Sequence, residues 1–275
     1  MSTRRIGLAL GGGGARGMAH IPVLEALDEL GIQPVAMSGT SIGAILGAGY
    51  AAGRSGEEIR EYAVRTFKDR GKVLARMWNL RPKKFSEFMA GGGVSRFDAH
   101  RVIDQFVGDM IPERFDDLKI PFSAIATDFY SCKEVDIRSG DLHGAIAASI
   151  AIPALFKPVH FEDRIMIDGG IVNPLPFDVL PPNLDIVIAV DVVGSPLPNP
   201  KRKLPSASES VFGATQIFMQ SIAAAKLKLR QPDILIKPDI PGFRVLDFLK
   251  TEKILKSAEP MKDEIKRRLD LALAA

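Results

Sequence analysis

The first fifty residues constrain this chain more than any other stretch. Arg4 to Leu10 is a short apolar run that stops at Gly11, followed by the glycine-rich Gly11-Gly12-Gly13-Gly14-Ala15-Arg16-Gly17. Ile21, Leu24, Leu27 and Leu30 then recur at near-helical spacing up to Gly31. Val35-Ala36-Met37 is a second apolar run, Gly39-Thr40-Ser41-Ile42-Gly43 follows it, and small residues from Ile42 to Ala52 read as a helix ended by Gly53. The order is strand, glycine loop, helix, strand, serine turn, helix. Strands that alternate with helices favour a mainly parallel sheet covered on both faces, an α/β architecture.

The later pattern continues the theme. Ser55-Gly56-Glu57-Glu58 is a capping box that opens a helix to about Lys68. Residues 68–95 are irregular and end in Gly91-Gly92-Gly93. Asp98 caps a helix through Val107, and Asp141 caps a short one to Ala148. Strands are expected at 120–127, 134–137, 164–167 and 186–193, with a proline-rich loop at 195–206. A long helix at 208–230, a strand at 233–236 and two helices parted near Pro260 complete the chain. With 275 residues, 46% apolar and 25% charged, the chain can build a full core, and no linker divides it. Residues 5–195 read as a core unit, and 196–275 as an extension packed on the same single domain.

Composition excludes several classes. The net charge of +3 is too small to imply nucleic acid as a partner. Cys132 is the only cysteine, so neither an internal disulfide nor a multi-cysteine metal site can form, and no metal or cofactor is expected. No run approaches the roughly 18 apolar residues that span a bilayer, and no secretory leader is legible. The expected location is cytoplasmic, with peripheral membrane contact.

Gly39-Thr40-Ser41-Ile42-Gly43 has the G-x-S-x-G form of a nucleophile elbow, with its serine between a strand and a helix. The other reading is a serine that caps a helix of small residues. The glycine run at a strand-to-helix junction can present backbone N–H groups to a phosphate or to an oxyanion. Gly12, Gly14 and Gly17 also fit G-x-G-x-x-G. A dinucleotide site, however, needs an acidic residue at the end of the second strand, and Glu29 lies inside the helix instead. No Gly-Lys-Ser/Thr follows for a Walker loop. None of His20, His100, His143 and His160 sits in a loop just past a strand, the usual place of a triad histidine. Asp168 does end a strand, before Gly169-Gly170, and reads as a turn or as a base. C-terminal ends of strands form the crevice in open α/β sheets, so Ser41, the glycine loop and Asp168 are expected at one edge.

Gly12-Gly13-Gly14-Ala15-Arg16-Gly17, Gly39-Thr40-Ser41-Ile42-Gly43 and Asp168-Gly169-Gly170, in that order, resemble the patatin-like phospholipase family. Ala147 to Pro153, Phe156-Lys157-Pro158 and Asn173-Pro174-Leu175-Pro176 resemble it too, and the likeness covers roughly residues 5–195. Compact bacterial members are the nearest in form. The resemblance implies a three-layer α/β/α patatin-like fold and a serine acyl hydrolase of lipid esters. It implies Ser41 as nucleophile and Asp168 as general base in a Ser-Asp dyad. It also implies an oxyanion hole of Gly12, Gly13 and Gly14 N–H groups, with Arg16 holding the loop. Two other readings remain at this point: a regulatory protein with this fold and little turnover, and a nucleotide-binding protein.

Residues 65–84 hold eight basic residues (Arg65, Lys68, Arg70, Lys72, Arg76, Arg81, Lys83 and Lys84) against Asp69, interleaved with Met77, Trp78 and Leu80 and followed by Phe85 and Phe88. Residues 65–88 are therefore a candidate contact with an anionic membrane, or a solvated segment whose aromatics pack inward. The C-terminal amphipathic helices have three uses open to them: covering the site, forming a homodimer, or completing the core.

Overall fold

The structure, a computed structural model, describes residues 4–80, 97–198 and 203–274. Gly91-Gly92-Gly93 and the basic and aromatic residues from Arg81 to Phe88 lie outside the described residues.

The opening alternation forms as read. Strand β1 (Ile6–Leu10) leads through the glycine loop and a 3-10 turn (Gly14–Ala19) into α1 (His20–Glu29). Strand β2 (Ala36–Thr40) then feeds α2 (Ile42–Ala51), with Ser41 alone between them. β2 runs three residues past its apolar cue. Those extra residues, Ser38, Gly39 and Thr40, pair with the neighbouring strands, and the Ser38 and Thr40 hydroxyls donate to the Pro176 and Asn173 carbonyls at 2.7 and 2.8 Å.

Helix α3 (Gly56–Lys68) carries the expected capping box between Ser55 and Glu58. Residues read as irregular after Lys68 instead form α4 (Arg70–Asn79), whose first turn is capped by Asp69. Then follow α5 (Ala99–Phe106), β3 (Phe122–Asp128), β4 (Lys133–Ile137), α6 (Leu142–Ser149), β5 (Val159–Phe161), β6 (Arg164–Asp168) and β7 (Ile186–Val190). The chain ends with α7 (Ala207–Leu229), β8 (Ile234–Ile236), α8 (Thr251–Ala258) and α9 (Met261–Ala274).

Among the described residues the strands form one sheet ordered β5-β6-β3-β2-β1-β7-β8, with β4 also paired to β3. The pairs β1/β2, β1/β7, β2/β3 and β7/β8 are parallel, and the β3/β4, β3/β6 and β5/β6 pairs are antiparallel. The fold is therefore mixed α/β with a mainly parallel central sheet.

Alternation along the central strands splits the core in two. Leu8, Leu10, Ile188 and Val190 join a large apolar cluster with α1, α2 and α3 and with Ile254, Ile265 and Leu269 of α8 and α9. Ala9, Val187 and Ala189 face the other way, against Leu175, Phe177 and Ala223 of α7. The C-terminal segment thus contributes to both layers, and β8 extends the sheet beside β7. A cluster of charges fixes α9 to the body of the protein: buried Glu25 of α1 pairs with Arg60 of α3 and, at 2.8 Å, with Lys262 of α9.

Candidate active site

Strand register brings Ser41 and Asp168 together. Thr40, the last residue of β2, is paired with Ile125, and Asp168, the last residue of β6, is paired with Ala126. β4 occupies one edge of β3 across both positions, so β2 and β6 share the other edge. The two run in opposite directions, and their C-terminal ends meet there. Ser41 and Asp168 thus meet at strand ends, as expected, although β6 is not one of the parallel strands. Asp168 arrives on an antiparallel strand from the opposite direction.

The contact is direct. Ser41 Oγ donates to Asp168 Oδ2 at 2.7 Å, and both residues are buried. The other carboxylate oxygen, Oδ1, accepts the Gly170 N–H at 2.7 Å. Thr127 Oγ1 donates to the Asp168 carbonyl at 2.8 Å and so holds the backbone of the same residue. Burial pushes the Asp168 carboxyl up to about 6, opposed by the hydrogen bonds from Ser41 and Gly170. At neutral pH it is still ionised, and it is a stronger base than an exposed aspartate.

Ser41 has φ 55° and ψ −120°, a left-handed conformation that a residue with a side chain adopts at a cost of order 1–3 kcal/mol. Neighbours hold it there. Its N–H donates to Ser149 Oγ at 2.9 Å, and that hydroxyl donates to the Ile125 carbonyl at 2.6 Å. Gly39 and Gly43 are required by space: a Cβ on Gly43 would strike the Leu10 carbonyl, and one on Gly39 would lie 2.5 Å from the Gly43 carbonyl. The first turn of α2 begins immediately after Ser41, so a helix N-terminus faces any negative charge that develops there.

The glycine loop lies against this serine. A Cβ on Gly12 would come 3.5 Å from Ser41 Cβ. However, the Gly12 N–H is already donated to the Pro174 carbonyl at 2.9 Å. This corrects the expectation that three successive amides point at the nucleophile, and leaves those of Gly13 and Gly14. Gly14 has φ 59°, and a Cβ there would collide with the Val245 carbonyl, so the loop requires glycine at that position. Arg16 points away from Ser41. Its guanidinium donates to the Val192 carbonyl at 3.1 Å and the Ile240 carbonyl at 2.7 Å, which anchors the loop to the ends of β7 and β8. Gly169 has equally little room, since a Cβ would strike the Ile125 carbonyl.

Residues 8–181 match the family described as patatin-like phospholipase, well over half of the chain. The chain belongs to the patatin-like phospholipase family. An NTE family protein of Mycobacterium tuberculosis is 38% identical over 195 residues, covering 70% of this chain and 51% of that protein. A second protein so described from the same organism is 29% identical over 276 residues, covering 92% and 45%. Human patatin-like phospholipase domain-containing protein 6 is 33% identical over 277 residues, covering 90% of this chain but 19% of its own length. The chain thus spans about half the length, or less, of these relatives. Among solved structures, VipD from Legionella pneumophila superposes with a TM-score of 0.52 at 13% identity, covering 99% of this chain and 67% of that one. That likeness concerns the fold.

The patatin-like site opens onto an apolar cavity of about 340 Å³. Ser41 and Gly14 lie in its wall, and Ile45 of α2, Ala63 of α3, Met77 of α4 and Phe106 of α5 form much of the remainder. Its far wall includes Phe67, stacked between Phe106 and Phe248 at centroid distances of 6.0 and 5.2 Å. On the other side of Ser41, a small space of about 30 Å³ is bounded by Asp168 and by Gln216 and Met219 of α7. Ser41 thus stands between the two, in the wall of the apolar cavity on one side and beside Asp168 on the other.

The histidines stand elsewhere. His20 is buried, 2.8 Å from the Gly11 carbonyl, and burial holds its pKa down to about 4, so it is a neutral brace beneath the glycine loop. His143 contacts the Ile111 carbonyl, His160 lies in β5 and His100 in α5. Cys132 is exposed at the β3–β4 turn. Glu29 pairs with Lys262 and Lys266 at the end of α1, far in role from the ribose ligand that a dinucleotide site needs. Among the described residues no group of His, Cys, Asp and Glu could hold a metal ion, and no helix is long and apolar enough to cross a membrane.

Sequence reasoning missed Ser149, Thr127 and Thr40 as supports of the site. Ser149 does fall within the quoted Ala147–Pro153 block, and its small hydroxyl amid alanines was the available signal.

Proposed function

We propose that this protein is a serine acyl hydrolase that cleaves ester bonds of lipids through Ser41 and Asp168. The observation that carries the reading is the 2.7 Å hydrogen bond to a buried carboxylate from a strained serine that lies in the wall of an apolar cavity. Such a pair supplies nucleophile and base, and such a cavity takes an acyl chain.

In the first step Ser41 Oγ attacks the ester carbonyl carbon while Asp168 takes the hydroxyl proton. The carbonyl oxygen becomes an oxyanion on the Gly13 and Gly14 amides, where donors of this kind contribute roughly 3–4 kcal/mol each. Collapse of the intermediate breaks the C–O bond, and the alcohol leaves with the proton from Asp168. The acyl group stays on Ser41. A water, deprotonated by Asp168, then attacks the acyl-enzyme, and the carboxylic acid departs as Ser41 regains its proton. Phospholipids, lysophospholipids and simple esters all offer the required bond.

Hydrolysis of a panel of p-nitrophenyl esters and phospholipids tests the proposal, with Ser41→Ala and Asp168→Asn as controls. Both variants are expected to lose activity while remaining folded, and a fluorophosphonate is expected to label Ser41. Turnover at the wild-type rate by Ser41→Ala overturns it.

A further inference from the structure

Three partly exposed apolar side chains mark the entrance of the cavity. Leu74, Leu246 and Leu249 all line the cavity, yet they are 53%, 49% and 44% exposed. A residue that both lines a cavity and faces solvent marks its mouth. Trp78, four residues beyond Leu74 and so on the same face of α4, is 67% exposed. One side of the mouth is thus α4, and the other is the segment before α8. Apolar surface gathered at one place marks an interaction site more often than scattered exposed leucines do.

The charge around α4 says what covers it. From Arg65 to Asn79 the chain carries Arg65, Lys68, Arg70, Lys72 and Arg76 against Asp69 alone. Arg65 and Arg76 also lie over the rings of Tyr62 and Phe106, at 5.4 and 5.6 Å, which sets their aliphatic stems along the apolar surface. A basic amphipathic helix with Leu and Trp on its apolar face suits the headgroup region of an anionic bilayer. An acidic protein surface would match the charge but not a rim of leucines opening on an acyl-sized cavity.

We propose that α4 and the Leu246–Leu249 segment dock this protein on an anionic lipid surface, so that a lipid chain enters the cavity from the membrane without crossing water. This rests on the acyl-hydrolase reading, which supplies the cavity's occupant. Of the segment 65–88 where membrane contact was expected, α4 falls within the described residues, and a second segment remote in sequence joins it.

Trp78 is the only tryptophan in the chain, so it reports its own surroundings. The inactive Ser41→Ala protein is mixed with vesicles of phosphatidylglycerol and phosphatidylcholine, or of phosphatidylcholine alone. Trp78 emission is expected to shift to the blue and to become protected from an aqueous quencher with the anionic vesicles, and added salt is expected to weaken both effects. Arg70→Glu together with Lys72→Glu is expected to weaken vesicle binding by about tenfold or more. In the Ser41 background the same pair leaves hydrolysis of a soluble short-chain ester unchanged. An unmoved Trp78 spectrum, or a shift indifferent to lipid charge and to the reversals, overturns the docking surface. So does lipid-free self-association that already protects Trp78. Failure of the protein to cleave any ester removes the hydrolase reading instead, and the vesicle measurements distinguish the two.

Discussion

Ser41 and Asp168, 127 positions apart in the chain, are joined by a 2.7 Å hydrogen bond inside a site that leaves both nearly inaccessible to water. Burial raises the aspartate to about 6. Below that pH the carboxyl is protonated and cannot accept the Ser41 proton. The kcat/KM for a soluble ester is therefore expected to rise about tenfold per pH unit up to about 6 and to level off above it. A pH–rate profile on a short p-nitrophenyl ester checks this, and a profile flat from pH ~4.5 upward contradicts it.

The same shift has a consequence for stability. The folded carboxyl binds its proton more tightly than the unfolded one, whose ordinary value is 3.8. The stabilising contribution is full below the unfolded value and is lost as pH rises through about 6. At neutral pH the ionised group then costs the fold roughly 3 kcal/mol. Asp168→Asn removes that charge while keeping an acceptor for the Gly170 N–H and a donor for Ser41. The variant is expected to be inactive yet more stable than wild type by about 1–3 kcal/mol at neutral pH, with the advantage shrinking as pH falls through about 6 and vanishing only below the unfolded value of 3.8. Urea unfolding at neutral pH and at pH ~5 measures it. Equal stability at both would mean that the carboxylate is better solvated than its burial indicates.

Ser149 is a positioning residue. Its hydroxyl accepts from the Ser41 N–H and donates to the Ile125 carbonyl, so Ser149→Ala removes a partner from two buried backbone groups. That should cost about 1–3 kcal/mol of stability. It should also let Ser41 relax from its left-handed conformation, lowering kcat by more than it raises KM for a small ester. A variant that loses stability but keeps the full kcat would show that Ser149 supports the fold without shaping the elbow.

Much of this was legible in the residue pattern. The strand–glycine loop–helix alternation, the Ser55–Glu58 capping box and the elbow follow from local rules, because glycine placement and apolar period act within a few residues. Three features escaped those rules. β2 continues through Ser38, Gly39 and Thr40, which carry no apolar cue, because β1 and β3 pair with them and carbonyls over 130 residues away accept the Ser38 and Thr40 hydroxyls. Asp168 was found at a strand end, but the direction of β6 depends on pairing with β3 and not on its own sequence. The Gly12 amide was counted as free because its acceptor, Pro174, is distant in the chain. The cavity likewise draws its walls from α2 through α5 and from residues 245–249, and no single stretch announces it.

Cavity size sets the last expectation. A methylene occupies about the space of a water molecule, whose share of the liquid is ~30 Å³, so about 340 Å³ holds a chain of roughly ten carbons. Ala63 lies in the wall, on a buried face of α3. Ala63→Leu fills part of the void with three more carbons and buries them against apolar neighbours. It should leave the fold at least as stable and the rate on acetyl and butyryl esters near that of wild type. It should also shift the preferred acyl length down by about three carbons, through a loss in kcat/KM confined to the longer esters. A chain-length series on both proteins, with a thermal melt of each, checks the expectation. If the two length profiles coincide in two well-folded proteins, the acyl chain does not lie in this cavity, and Ser41 must take its substrate from the side of α7 instead.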